Sequence, residues 1–276
     1  MSSHTNISIA NKLVKAALFL ACLSVSISSI AKEEQYSLGI FPHMPLSKLL
    51  TVYGPIADDF SNQLNHNVIA LTKPTFNAYA RELEKEAYDI ALIQPFDYPM
   101  AYKHGYLPLA RRDLDLTAII IVKNNSSIDD IKMLKNKTIA NPAPKAAVSL
   151  MTQKSLKLAG INPETDITTI YTGNHFSCMQ NVLIGKADAC GTARQALINW
   201  QGFKIKKRFK IIHETQPLPH ALFVVHKRIP EASRKTIKES ILSWPQRDEG
   251  KKILKKGNLV PFTEALDNDY DIIRNF

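Results

Sequence analysis

A chain of 276 residues is long for one core and suits two domains of modest size. Its formal net charge of +10 favours encounter with anions through long-range attraction. That surplus is not a nucleic-acid signature, because Lys and Arg are scattered, no base-reading module is present, and the densest basic run, Lys204 to Lys210, reads as a solvated face.

Lys12 and Lys15 precede an apolar run from Ala16 to about Ile30, which closes on Ser29-Ile30-Ala31 before the charged Lys32-Glu33-Glu34. This is the n-region, h-region and cleavage-site order of a secretory signal peptide over residues 1–31. The run is too short and too serine-rich for a membrane anchor, and no later segment approaches ~20 apolar residues. The mature chain is therefore expected to be exported to the periplasm as a soluble protein, with a lipoprotein acylated at Cys22 as the alternative. Cleavage would leave Cys178 and Cys190 as the remaining thiols in an oxidising compartment. There they either form a disulfide or lie as two small hydrophobes buried on adjacent elements.

Past the leader, strand and helix signals alternate. Tyr36 to Phe41 reads as a strand, and Leu46 to Leu64 carries apolar residues at helical spacing, kinked or restarted at Gly54-Pro55. Val68 to Leu71 is the next strand, Thr75 caps a helix reaching about Glu86, and Tyr88 to Ile93 reads as a buried parallel strand. The β-branched run Thr117 to Val122 opens a second round. Thr138 to Ala140 is a short strand, Ala143 to Ala159 a helix stopped by Gly160, Ile167 to Tyr171 a strand, His175 to Ile184 a helix and Ala187 to Cys190 a strand. Ala221 to Val225 is a further apolar strand, followed by a helix from about Glu231 to Trp244 and a tail to Phe276. This alternation predicts an α/β fold of two Rossmann-like lobes, each with an open, mostly parallel sheet. Ile119–Val122 and Ala221–Val225 are read as two hinge crossings. The first lobe is then discontinuous, residues 32–118 plus 228–276, and the second covers 119–227.

In open α/β sheets a ligand lies beyond the carboxyl ends of the strands, where helix N-termini present unpaired backbone N–H groups. Four such turns carry groups suited to recognition: Thr75-Phe76, Gln94 with Asp97 and Tyr98, Asn141 through Lys145, and Asn174-His175. Lys145, in the first turn of its helix, opposes the macrodipole, a conflict that a bound anion resolves and that a lysine simply reaching water also avoids. His175 is placed either to donate to an anion or to cap and pack. Asp97 and Tyr98 either orient a ligand hydroxyl or amine, or cap a helix and line the hinge. Arg194 either grips a carboxylate or phosphate bidentately or lies on the surface. No catalysis, metal or cofactor is expected, because Gly-x-Ser-x-Gly, a phosphate-cradling glycine loop, His-x-x-x-His and Cys-x-x-Cys are all missing. His220 and His226 are too far apart for one helical face and read as structural residues of a hinge strand.

Taken in order, Gly39-Ile40-Phe41-Pro42, Tyr53-Gly54-Pro55-Ile56-Ala57, Tyr88 through Tyr98, Gly173-Asn174-His175, Gly185 through Ala189 and Tyr270 through Arg274 resemble successive motifs of one family. That family is the phosphate/phosphite/phosphonate-binding periplasmic proteins of ABC importers. The resemblance implies the type II periplasmic-binding-protein architecture and a binding role for Tyr98 and His175. It also exposes departures. The family's Ser/Thr-rich helix start corresponds here to Asn141-Pro142-Ala143-Pro144-Lys145-Ala146-Ala147, a family tyrosine to Phe76, and an acidic residue to Phe176. The expected function is capture of a small anion by hinge closure of a monomer that serves an ABC permease. The alternative is a sensory module whose closed form signals to a membrane-bound kinase or cyclase.

Overall fold

Strands such as Ile90–Ile93 and Ala118–Lys123 carry apolar side chains on both faces, so they are stable only with structure above and below them. The computed structural model, which describes residues 35–199 and 208–276, places them inside two separate sheets with a neighbour on each side. The leader, with Cys22, and Lys204 to Lys207 of the basic run lie outside the described residues.

In chain order the strands are β1 (Tyr36–Ile40), β2 (Val68–Leu71), β3 (Ile90–Ile93), β4 (Tyr106–Arg112), β5 (Ala118–Lys123), β6 (Thr138–Asn141), β7 (Thr168–Tyr171), β8 (Ala189–Ala193), β9 (Phe209–Glu214), β10 (Leu222–His226) and β11 (Phe262–Glu264). The helices are α1 (Leu46–Leu64), α2 (Phe76–Glu84), α3 (Tyr98–Lys103), α4 (Ala147–Leu158), α5 (His175–Leu183), α6 (Arg194–Asn199), α7 (Glu231–Ser243), α8 (Asp248–Gly257) and α9 (Asp271–Arg274).

The first sheet has the order β11-β4-β10-β3-β1-β2 and the second β7-β6-β8-β5-β9. In each, a parallel trio (β2-β1-β3, β7-β6-β8) is extended by antiparallel strands. Strand β10, which the sequence reading took as a crossing and counted within 119–227, pairs in the first sheet between β3 and β4. The reason is that a fully buried strand needs two neighbours. Its second one, β4, escapes a periodicity reading because Pro108 and Arg111-Arg112 interrupt its apolar run. The chain crosses between the sheets at residues 113–117 and 215–221, which are tied by reciprocal Leu116–Leu218 backbone hydrogen bonds of 2.7 and 3.0 Å.

Helix α1 runs unbroken through Pro55. An interior proline costs about 3 kcal/mol. Burial of Leu49, Val52, Tyr53, Ile56 and Phe60 along one stripe contributes ~1.5–3 kcal/mol each, which outweighs it. Helix α4, in contrast, starts four residues later than the sequence suggests. Pro144 disfavours helical backbone at Ala143, and Ala146 becomes the N-cap. The C-terminal return is anchored by Asp59 of α1, whose buried carboxylate accepts hydrogen bonds from Ser240, Trp244 and Arg247 at 2.6 to 3.0 Å. Cys178 and Cys190 are joined in a disulfide between α5 and β8, with Cα atoms 5.7 Å apart. Among the described residues, no helix is long and apolar enough to cross a membrane.

Candidate functional site

Between the two sheets lies a cavity of about 290 Å³, walled by the carboxyl ends of β1, β3, β4 and β8, the starts of α4 and α5, and the two crossings. Its polar groups are arranged around Arg112, the last residue of β4. The guanidinium Nη2 of Arg112 donates to Tyr53 Oη at 3.2 Å, and the Tyr53 hydroxyl lies 3.1 Å from His43 Nε2. His43 Nδ1 is 2.9 Å from the Phe41 carbonyl. A carbonyl only accepts, so this chain fixes the His43 proton on Nδ1 and lets Tyr53 donate to Nε2. Burial and the Arg112 charge hold His43 down to about 3, so it stays neutral.

Two further histidines line the cavity from opposite walls. His220 Nδ1 accepts from the Ala221 amide at 2.7 Å, which leaves its proton on Nε2. His175 Nδ1 lies 2.8 Å from Thr192 Oγ1 and faces the Ala193 amide at 3.5 Å, so its proton also belongs on Nε2. Burial lowers His175 to about 4 and His220 well below the ordinary histidine range. Arg112, His175 and His220 are thus donors, and no Asp or Glu is among the described residues that line the cavity. Arg112 has no carboxylate partner among the described residues, and its Nε is buried without a hydrogen bond.

At the helix start that faces this cavity from the second sheet, the first amide is already satisfied. Gln94, at the end of β3, accepts from the Ala147 amide through Oε1 at 2.9 Å and donates through Nε2 to the Lys145 carbonyl at 2.8 Å. Its Nε2 also lies 3.2 Å from Asp97 Oδ1. Burial pushes the Asp97 carboxyl up to about 7, against the opposing effect of Gln94 and Lys145. The rest of the wall mixes an apolar stretch, Phe41 and Phe76, whose rings are 6.0 Å apart, with Val52, Leu114, Leu116 and Phe176, and polar side chains, Gln195 and Asn199, which bond each other at 2.7 Å, Asn258, and the exposed Lys48 and Lys256.

Of the residues singled out from sequence, Phe76, Gln94 and His175 line the cavity. Thr75 and Asn174 do not. They are the N-caps of α2 and α5, accepting from Ala78 N at 3.1 Å and Ser177 N at 2.9 Å. Asp97 stands one contact behind, through Gln94. Tyr98 is buried elsewhere, its hydroxyl donating to Asp267 at 2.7 Å and its ring packed on Tyr270. Asn141 is buried at the end of β6, off the cavity wall. Lys145 precedes α4 and is exposed, so the conflict with the helix dipole inferred from sequence does not arise. Arg194 is paired with Glu214 on β9 rather than offered to a ligand. Sequence reasoning missed Arg112, His43, Tyr53 and His220. The strand-end rule would have reached Arg112 had β4 been recognised.

Residues 38–270 match the family described as the phosphonate periplasmic substrate-binding protein of ABC transporters. The fold is similar to PhnD1 of Prochlorococcus marinus in complex with methylphosphonate, with a TM-score of 0.79 at 20% identity over 88% of this chain and 97% of that one. It is also similar to a binding protein component of an ABC phosphonate transporter of Pseudomonas aeruginosa, with a TM-score of 0.77 at 17% identity over 88% and 85% of the two chains. The periplasmic aliphatic sulphonate binding protein of Escherichia coli shares it with a TM-score of 0.59 at 14% identity, over 88% and 90%. No curated protein sequence matches this one.

Proposed function

From the premise that this chain belongs to the phosphonate periplasmic substrate-binding proteins of ABC transporters, we propose that it captures a small organic anion in the cavity at Arg112. The two sheets are then the cores of two lobes, residues 36–112 with 222–276 and residues 118–214, that close about the Leu116–Leu218 crossing. A ligand touching both walls stabilises the closed form by its differential contacts. The leader is removed after Ala31, and the mature monomer delivers its ligand to an ABC permease.

The observation that carries this reading is Arg112, a cation in the cavity wall with no carboxylate partner among the described residues. A partly desolvated cation of this kind is costly alone, and an entering anion supplies its missing partner. Calorimetry tests it with methylphosphonate, phosphate and small carboxylates. Arg112→Gln should weaken whichever anion binds about 10- to 100-fold, the worth of a hydrogen bond to a charged group. Unchanged affinity in that variant would remove the assignment.

A further inference from the structure

Resting on that reading, the make-up of the cavity narrows the ligand class. Three features of the cavity decide the matter together. The first is charge count. Arg112 is the single guanidinium in the wall, the histidines beside it are neutral, and the two lysines present, Lys48 and Lys256, are exposed at the rim. Lys48 is further engaged over the Phe176 ring at 5.3 Å. One half-buried formal charge matches one charged head, and a second negative group inside would have no cation to pair with.

The second is the donor set. Nε2 of His175 and of His220 have no protein partner among the described residues and keep their protons because each Nδ1 is an acceptor. With Arg112 they make a cluster of donors without an acceptor, suited to the oxygens of a single anionic head. Of the backbone amides at the α4 start, Ala147 N is already taken by Gln94.

The third is size and polarity. A water-sized group needs ~15 Å³ of such space, so a cavity of about 290 Å³ far exceeds a bare tetrahedral oxyanion. Much of the excess is bounded by Phe41, Phe76, Val52, Leu114 and Leu116, which offer no hydrogen bond to a polar substituent, while the polar Gln195 and Asn199 on the same wall bond each other. A small hydrophilic anion would leave that wall facing water or void, whereas an apolar body would cover it.

We infer that the ligand is a single-headed organic anion with an apolar body of phenyl or short-alkyl size, the head on Arg112, His175 and His220 and the body against Phe41, Phe76 and Leu116. The head is a carboxylate or a tetrahedral phosphorus or sulfur oxyanion, and the body sets the affinity.

Calorimetry on the mature protein tests this with acetate, butyrate and hexanoate, with adipate and hexanol as the two-headed and headless counterparts of hexanoate, and with methylphosphonate, phenylphosphonate and inorganic phosphate. Affinity should rise about fourfold for each added methylene, the increment for burying one such group. Phenylphosphonate should exceed methylphosphonate by at least 30-fold, and adipate and hexanol should each fall at least 30-fold below hexanoate. Phe76→Ala should reduce the phenylphosphonate-to-methylphosphonate ratio. Phosphate or methylphosphonate binding as tightly as phenylphosphonate would overturn this inference while leaving anion capture intact. Hexanol matching hexanoate would overturn the assignment of the head. Failure of every anion in the series would overturn anion capture itself and this inference with it.

Discussion

Replacing Gln94 by alanine removes a clamp that holds the two halves together through both ends of one amide. The Gln94 Nε2 bond to the Lys145 carbonyl at 2.8 Å and the Ala147 amide bond to Gln94 Oε1 at 2.9 Å both join the first sheet to the start of α4 in the second. Each is worth about 0.5–1.5 kcal/mol net. In an opened form the freed groups at the α4 start would be solvated, so little further penalty applies there. The pair therefore biases closure by about 1–3 kcal/mol, a factor of roughly 5 to 150 in the closed-to-open ratio. Ligand affinity depends on the closed fraction and should weaken by up to that factor in Gln94→Ala. Small-angle scattering of the ligand-free variant should show a larger radius of gyration than the parent. Gln94→Glu should fall between the two, because it keeps the acceptor for Ala147 N, loses the donor to Lys145 and places a second carboxylate beside Asp97. Identical scattering curves and equal affinities for Gln94→Ala and the parent would refute the clamp.

Three further outcomes follow from the same structure. His43, His175 and His220 are all held below the ordinary histidine value, so between about pH 6.5 and 4 the unfolded chain takes up protons that the folded chain refuses. Stability is then full above pH 6.5 and falls as the pH drops, by up to ~1.4 kcal/mol per pH unit for each histidine. Asp97, raised to about 7, works in the opposite sense over this range, leaving a net slope of up to ~3 kcal/mol per pH unit. Urea unfolding at pH 7 and pH 5 measures it, and equal midpoints would contradict the burial of these rings. Reducing the Cys178–Cys190 bridge, which closes a loop with a sequence separation of 12, should cost about 2–3 kcal/mol and lower the melting temperature by several degrees. A two-hydrogen deficit in the mass of the unreduced protein checks that the bridge forms. Gly191→Ala would place a methyl 2.6 Å from Asn141 Oδ1 at the end of β6 and against Thr152 of α4, both buried, and should destabilise by about 1–3 kcal/mol in thermal melts. A variant as stable as the parent would show that this corner of the core has slack.

What the sequence discloses here depends on how far apart the deciding partners lie. Thr75 and Asn174 are capping residues because each side-chain oxygen meets an amide three residues on, a relation visible in the residue types alone. The alternation of strand and helix is likewise local, and it was enough for the fold class. Tyr98 and Arg194 were open between ligand and structural roles because their partners, Asp267 and Glu214, lie 169 and 20 residues away. Nothing near either residue announces those carboxylates. Arg112 was invisible for a different reason: a strand interrupted by proline and two arginines leaves no periodic trace, so the residue at its end was never placed beside a ligand.

Gln94 joins the two cases. Its position at the end of a buried strand marked it as facing the cleft, but whether its amide meets a ligand or a backbone is decided 51 to 53 residues away. The stretch Ala143-Pro144-Lys145-Ala146-Ala147 has no side-chain hydroxyl to satisfy the first amides of α4. Helix N-termini do not stay buried without an acceptor, so some oxygen must arrive from elsewhere, and Gln94 Oε1 is the one that does. The missing hydroxyls and the glutamine clamp are therefore one feature, and on the proposed reading the anion is left to Arg112 and its two neighbouring histidines.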